Sequence, residues 1–129
     1  MPTILLVDDE KLVQRSLEKT LLRAGYEVRT AADCSSGWEA FHAHADQIDL
    51  AVLDLSMPDF SGIPKPGAGL DLLRRIRETR PSLPIVVLTA YDEVTKAKDA
   101  ITLGAQAYFV KGREQGLVEL IQGLLQPSK

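Results

Sequence analysis

A chain of 129 residues with 45% apolar and 26% charged side chains has the composition of a soluble globular protein, and the length for one domain with a real core. Fifteen Lys and Arg against eighteen Asp and Glu leave a formal charge of −3, which argues against direct nucleic-acid binding through overall charge. No run approaches the roughly 18 apolar residues that span a bilayer. The start MPTILLVDDE lacks the basic region and apolar length of a secretion signal, and the lone Cys34 fits a reducing compartment. The expectation is a cytoplasmic protein without a membrane partner.

In chain order, the apolar run Ile4–Val7 reads as a strand covered on both faces, and Glu10–Ala24 repeats Val13, Leu17, Leu21 and Ala24 at helical spacing before Gly25. Glu27–Ala31 alternates and reads as an edge strand, and Ser36–Ala45 as a second helix on which Trp38 and Phe41 pack towards the sheet. Leu50–Leu53 is a third strand. Leu70–Arg80 is a helix ended by Pro81, Ile85–Leu88 a fourth strand, and Asp92–Leu103 a helix that stops at Gly104. Ala107–Val110 and Arg113–Leu125 complete five strand–helix units. Right-handed crossovers turn that order into an α/β fold, a five-stranded parallel sheet with helices on both faces. The domain is read as residues 1–126, with 127–129 a tail.

In such sheets ligands bind beyond the carboxyl ends of the strands, where strand order reverses. The first strand ends in Asp8 and Asp9, the third in Asp54, the fourth in Thr89 and the fifth in Lys111. Any one of these alone reads as a helix cap or a surface group. All five at one end of one sheet read as a site. Three carboxylates in one crevice need a cation, and oxygen ligands with room for water suit Mg²⁺. A carboxylate nucleophile, Mg²⁺, an ammonium and a hydroxyl are what phosphoryl transfer to a carboxylate requires.

The stretches ILLVDDE, AVLDLSMPDFSG, GLDLLRRIRE, PIVVLTAY and GAQAYFVK, in this order and spacing, resemble the receiver domains of response regulators in two-component signalling, over essentially the whole chain. The resemblance implies a flavodoxin-like fold with strand order 2-1-3-4-5. It implies that Asp54 is the phosphoacceptor and that Asp9, Asp54 and the backbone carbonyl of Ser56 ligate Mg²⁺, with Asp8 acting through water. Lys111 would hold a phosphoryl oxygen. Thr89 and Tyr108 would be the switch pair, and Ala90 the small residue that leaves room for the phosphoryl group. Ser56 and Tyr91 stand where the family tunes hydrolysis. The implied function is a phosphoacceptor switch, not a turnover enzyme, although it assists its own phosphorylation and dephosphorylation. The donor would be a histidine kinase or a phosphotransfer protein. The output would pass through the face of the fourth helix, fifth strand and fifth helix to a downstream protein or a missing output domain, and a phosphorylation-dependent homodimer is among the expected partners.

Two features depart from that pattern. Gly112 stands where a proline in a cis peptide is usual, so a trans Lys111–Gly112 bond and a mobile loop are expected. About seven residues, Ile63–Gly69, look inserted into a loop whose usual length is about 2–6. They read either as a tolerated surface insertion or as a flap that gates the site. The run Arg74, Arg75, Arg77 and Arg80 reads as a solvated helix face, and His42, His44 and Cys34 lack zinc spacing. The competing functional class is a phosphorylation-independent interaction module. A flavin or nucleotide binder would want a phosphate cradle where Asp8-Asp9-Glu10 stands. A hydrolase would want a second acid in place of Ser56.

Overall fold

Strands built from Val, Ile and Leu bury both faces only if helices cover both sides of the sheet. The computed structural model describes residues 1–112 and 114–125, with Tyr91 described in its backbone alone. It places β1 (Thr3–Val7), α1 (Lys11–Arg23), β2 (Glu27–Ala31), α2 (Cys34–Ala43) and β3 (Leu50–Asp54) in the first half of the chain. A short hairpin of β4 (Met57–Pro58) and β5 (Pro64–Lys65) follows, then α3 (Ala68–Thr79) and β6 (Ile85–Thr89). A 3₁₀ turn (Tyr91–Glu93) leads into α4 (Val94–Thr102), β7 (Ala107–Val110) and α5 (Glu114–Leu125). The large sheet is parallel, in the order β2-β1-β3-β6-β7. Counting only its own five strands, that is the expected 2-1-3-4-5.

Alternation along the strands divides the core in two. Leu5, Val7, Ala51, Leu53, Ile85 and Val87 face the side covered by α2, α3 and α4, where Phe41, Leu72, Ile76 and Ala97 pack. Ile4, Leu6, Leu50, Val52, Val86 and Leu88 face α1 and α5 through Leu17, Leu21, Leu117 and Ile121. No described helix is long and apolar enough to cross a membrane. The expected start of the last helix at Arg113, and the tail, lie outside the described residues.

Three expectations change. The stretch Ile63–Gly69 is not one loop: Pro64 pairs with Pro58 and Lys65 with Met57 in an antiparallel hairpin, and Ala68 and Gly69 are already the buried first turn of α3. The helix begins two residues before Leu70 because Gly67 turns the chain at φ +80°. The arginine run is a solvated face only in part. Arg77 donates to the carbonyls of Arg80, Pro81 and Gly104, and Arg80 to those of Ala45 and Ile48, while Arg75 lies 4.1 Å from the ring centre of Phe60 and 5.4 Å from that of Trp38. Arg74, exposed beside Asp71, and Arg75, exposed even where it lies over Phe60, fit the expectation.

The end of β3 and the new start of α3 touch at one glycine. Gly69 N donates to Leu55 O at 2.9 Å, and a Cβ there would collide with the carbonyl of Asp54 and stand 3.0 Å from Leu55 Cα. Backbone cannot yield as a side chain does, so Gly69→Ala should cost about 1–3 kcal/mol or more in urea unfolding. Gly123→Ala, in α5 with open space around it, should instead gain about 0.5–1 kcal/mol. Equal effects of the two would refute the close approach.

Candidate functional site

β1, β3 and β7 end at one crevice, with Asp54 the last residue of β3 and Asp8 and Lys111 the first beyond β1 and β7, and α1 starts beside it. Lys111, one residue past β7, is set by its own N–H, which donates to Thr89 O at 3.0 Å. Its Nζ donates to Glu10 Oε1 at 2.7 Å and to Asp54 Oδ2 at 3.1 Å, and stands 3.1 Å from Asp8 Oδ2. Asp8 is fully buried. Its Oδ1 accepts from Glu10 N at 2.8 Å, but Oδ2 pairs with Lys111 by charge alone and has no hydrogen-bond partner. Asp54 is 3% exposed, and Ser56 N donates to its Oδ1 at 3.4 Å.

The electrostatics follow from that packing. Burial, then the charge of Asp8, pushes the Asp54 carboxyl up to about 8 against the pull of Lys111, and a hydrogen bond with Asp9 adds to the rise. For Lys111 burial works against the charge, but Glu10, Asp54 and Asp8 outweigh it and raise the pKa. Asp8, Glu10 and Asp54 bring carboxylate oxygens within 4.8 Å of one another. An all-oxygen set with one buried oxygen lacking a donor fits a hard divalent cation.

The structure brings Asp8, Asp54 and Lys111 together and adds Glu10, to which the sequence reading gave no role. Asp9 is exposed, turned towards Asp54 but outside that tight set, and it lines a cleft of about 260 Å³ with Ser56, Met57, Pro64, Lys65 and Pro66. Ser56 Oγ donates to Glu93 Oε2 at 2.6 Å, a partner that nothing in the spacing announces. Thr89 is fully buried with its hydroxyl donating to Ala90 O at 3.0 Å, and Tyr108 is half-buried against the α2–α3–α4 side of the core. The side chain of Tyr91 lies outside the described residues. The run DDE was the one signal that could have found Glu10, since its third acid stands at the cap of α1, where the chain turns back over the strand ends.

Residues 4–122 match the family model of the response regulator receiver domain. The chain is 36% identical over 109 residues to the probable transcriptional regulatory protein TcrX of Mycobacterium tuberculosis, covering 84% of this chain and 43% of that protein. It is 38% identical over 110 residues to the DNA-binding transcriptional regulator NtrC of Azospirillum brasilense, covering 84% of this chain and 21% of that one. The chain thus spans less than half the length of either relative. Among solved structures, the receiver domain of NtrX from Brucella abortus superposes with a TM-score of 0.82 at 30% identity, over 97% of this chain and 99% of that one. A response regulator receiver domain protein from Clostridium thermocellum gives 0.86 at 28%, over 97% and 94%. With its parallel 2-1-3-4-5 sheet and its carboxylates and lysine gathered at the strand ends, the chain belongs to the response regulator receiver domain family.

Proposed function

We propose that this protein is a phosphoacceptor switch in which Asp54 takes a phosphoryl group from a phosphohistidine of a histidine kinase or phosphotransfer protein. The observation that carries the reading is Lys111 Nζ held 3.1 Å from both Asp8 and Asp54, with Asp8 Oδ2 buried and short of a hydrogen-bond donor. That arrangement is poised for a cation and a phosphoryl oxygen. Asp9, Asp54 and the Ser56 carbonyl would hold Mg²⁺, with Asp8 through water and Glu10 at the edge of the set. When bound, Mg²⁺ supplies neutralisation of the charge on the phosphoryl oxygens.

The chain's own residues do the rest. The Asp54 carboxylate attacks phosphorus as the bond to the donor breaks. Lys111 exchanges its contact with Asp54 for a phosphoryl oxygen. The Thr89 hydroxyl gives up the Ala90 carbonyl for another, and Tyr108 turns inward behind it, which shifts the α4–β7–α5 face between two states. That face, or an output domain such as the transcriptional relatives carry, passes the signal on. Dimerisation of the phosphorylated form through that face is part of the same reading, as is a receiver unit spanning residues 1–126. The cytoplasm, where a kinase's phosphohistidine is met, is the compartment it requires.

Two experiments test it. Intact mass after incubation with acetyl phosphate or phosphoramidate should rise by one phosphoryl group only with Mg²⁺, and not at all in Asp54→Ala; no gain would overturn the reading. The raised pKa of Asp54 also has a signed consequence. With the carboxyl at about 8, cation binding below that pH must displace its proton. Mg²⁺ affinity should therefore weaken by up to about tenfold per pH unit as pH falls. Calorimetry at neutral pH in two buffers of different ionisation enthalpy should give different heats. Asp54→Asn should remove the difference.

A further inference from the structure

Glu93 reaches the candidate phosphorylation site through one hydroxyl. Ser56 Oγ donates to Glu93 Oε2 at 2.6 Å, while the N–H of the same serine donates to Asp54 Oδ1 at 3.4 Å. Glu93 is held by the turn that follows β6: its N–H donates to Ala90 O at 3.0 Å, the carbonyl that also accepts from the Thr89 hydroxyl. A serine hydroxyl has one proton and two lone pairs. With its proton committed to Glu93 Oε2, Ser56 Oγ offers the crevice acceptor capacity alone.

We infer that Glu93 is a positioning residue that fixes the Ser56 hydroxyl as an acceptor and thereby sets how fast an aspartyl phosphate at Asp54 is lost to water. The inference rests on Asp54 being the phosphoacceptor. A water that donates to Ser56 Oγ turns a lone pair towards phosphorus. Its oxygen bonds to phosphorus as the bond from phosphorus to the Asp54 carboxyl oxygen breaks, and the electron pair of that bond returns to the Asp54 carboxylate. Both water protons leave on inorganic phosphate, as H₂PO₄⁻, so no other reactant is required. Without Glu93, the hydroxyl is free to turn its proton into the crevice and donate to a phosphoryl oxygen, and the water loses its acceptor.

The test uses the full chain, phosphorylated with phosphoramidate and Mg²⁺, freed of donor and followed by intact mass as the phosphoryl group decays. Glu93→Ala and Ser56→Ala should each slow the decay several-fold, and the double variant should be no slower than Ser56→Ala alone. Ser56→Thr, which keeps a hydroxyl, should keep both the faster decay and its dependence on Glu93. Decay of Glu93→Ala at the wild-type rate, or equal slowing by that change in the presence and absence of the Ser56 hydroxyl, would overturn the role of Glu93 and leave Asp54 as acceptor. Failure of the unsubstituted protein to gain a phosphoryl group would remove the Asp54 reading, and this inference with it.

Discussion

One ammonium makes the strand ends of this sheet tenable. β1 and β3 are buried along their whole length, so the carboxylates that follow or end them are drawn out of water with the strands, Asp8 completely and Asp54 nearly so. Like charges in a poorly solvated crevice repel strongly, and each also loses its hydration. Lys111 answers both, within 3.1 Å of Asp8, Glu10 and Asp54. It arrives there because β7 pairs with β6 in a register that sets Val110 opposite Thr89, the last residue of each strand, with Lys111 the next step on. A slip of one residue would turn the alternation of β7 inside out, so the same apolar pattern that builds the sheet also aims the lysine.

A second constraint lies on the opposite flank, where the β4–β5 hairpin stands over the end of β3. Its turn is held by Asp59 Oδ1, which accepts from the N–H groups of Ser61 and Ile63. Its body is tied down by the guanidinium of Arg75 over Phe60, with Trp38 of α2 on the same cation. The ion pair from Lys65 to Asp71 at 3.2 Å is exposed at both ends and adds little. The hairpin thus stands as a wall beside Asp9 and Ser56, and the cleft they line lies on the approach to the site.

The sheet was legible because continuous apolar runs and helical periods are dense signals that neighbouring residues repeat. The strand-end residues were legible for the same reason, since the topology alone carries Asp8, Asp54, Thr89 and Lys111 to one edge. What escaped was decided by single contacts between distant segments. Gly67-Ala68-Gly69 looks like loop by composition, yet Gly67 is there for its positive φ and Gly69 for the approach of β3 backbone, and both serve the start of a helix. Arg77 and Arg80 look solvated because their partners are backbone carbonyls, which leave no trace in residue identity. Asp9 and Glu10 could not be ranked either. The period-two rule lapses where β1 ends at Val7, and which acid meets Lys111 depends on how α1 begins.

The charges of the crevice do not balance, and that imbalance connects structure to action. Asp8, Glu10 and Asp54 face one Lys111, so without a cation the cheapest correction is a proton on Asp54, the acid raised to about 8. A folded-state pKa above the unfolded one stabilises the fold at low pH, and that contribution is lost as pH rises through about 8. A cation entering the crevice must displace that proton, so the same deficit of positive charge governs both the protonation of Asp54 and the room for a metal. Glu10 then has a definite place: exposed, hydrogen-bonded to Lys111 at 2.7 Å, it holds the ammonium near Asp54 without burying another charge. The residue after the lysine, Gly112, sits in a trans peptide at φ +108° with nothing within 4 Å of where a Cβ would stand. Space does not demand a glycine there; the backbone angle does, and the angle steers the chain from β7 back over α1, where Glu114 accepts hydrogen bonds from Ser16 and Thr20.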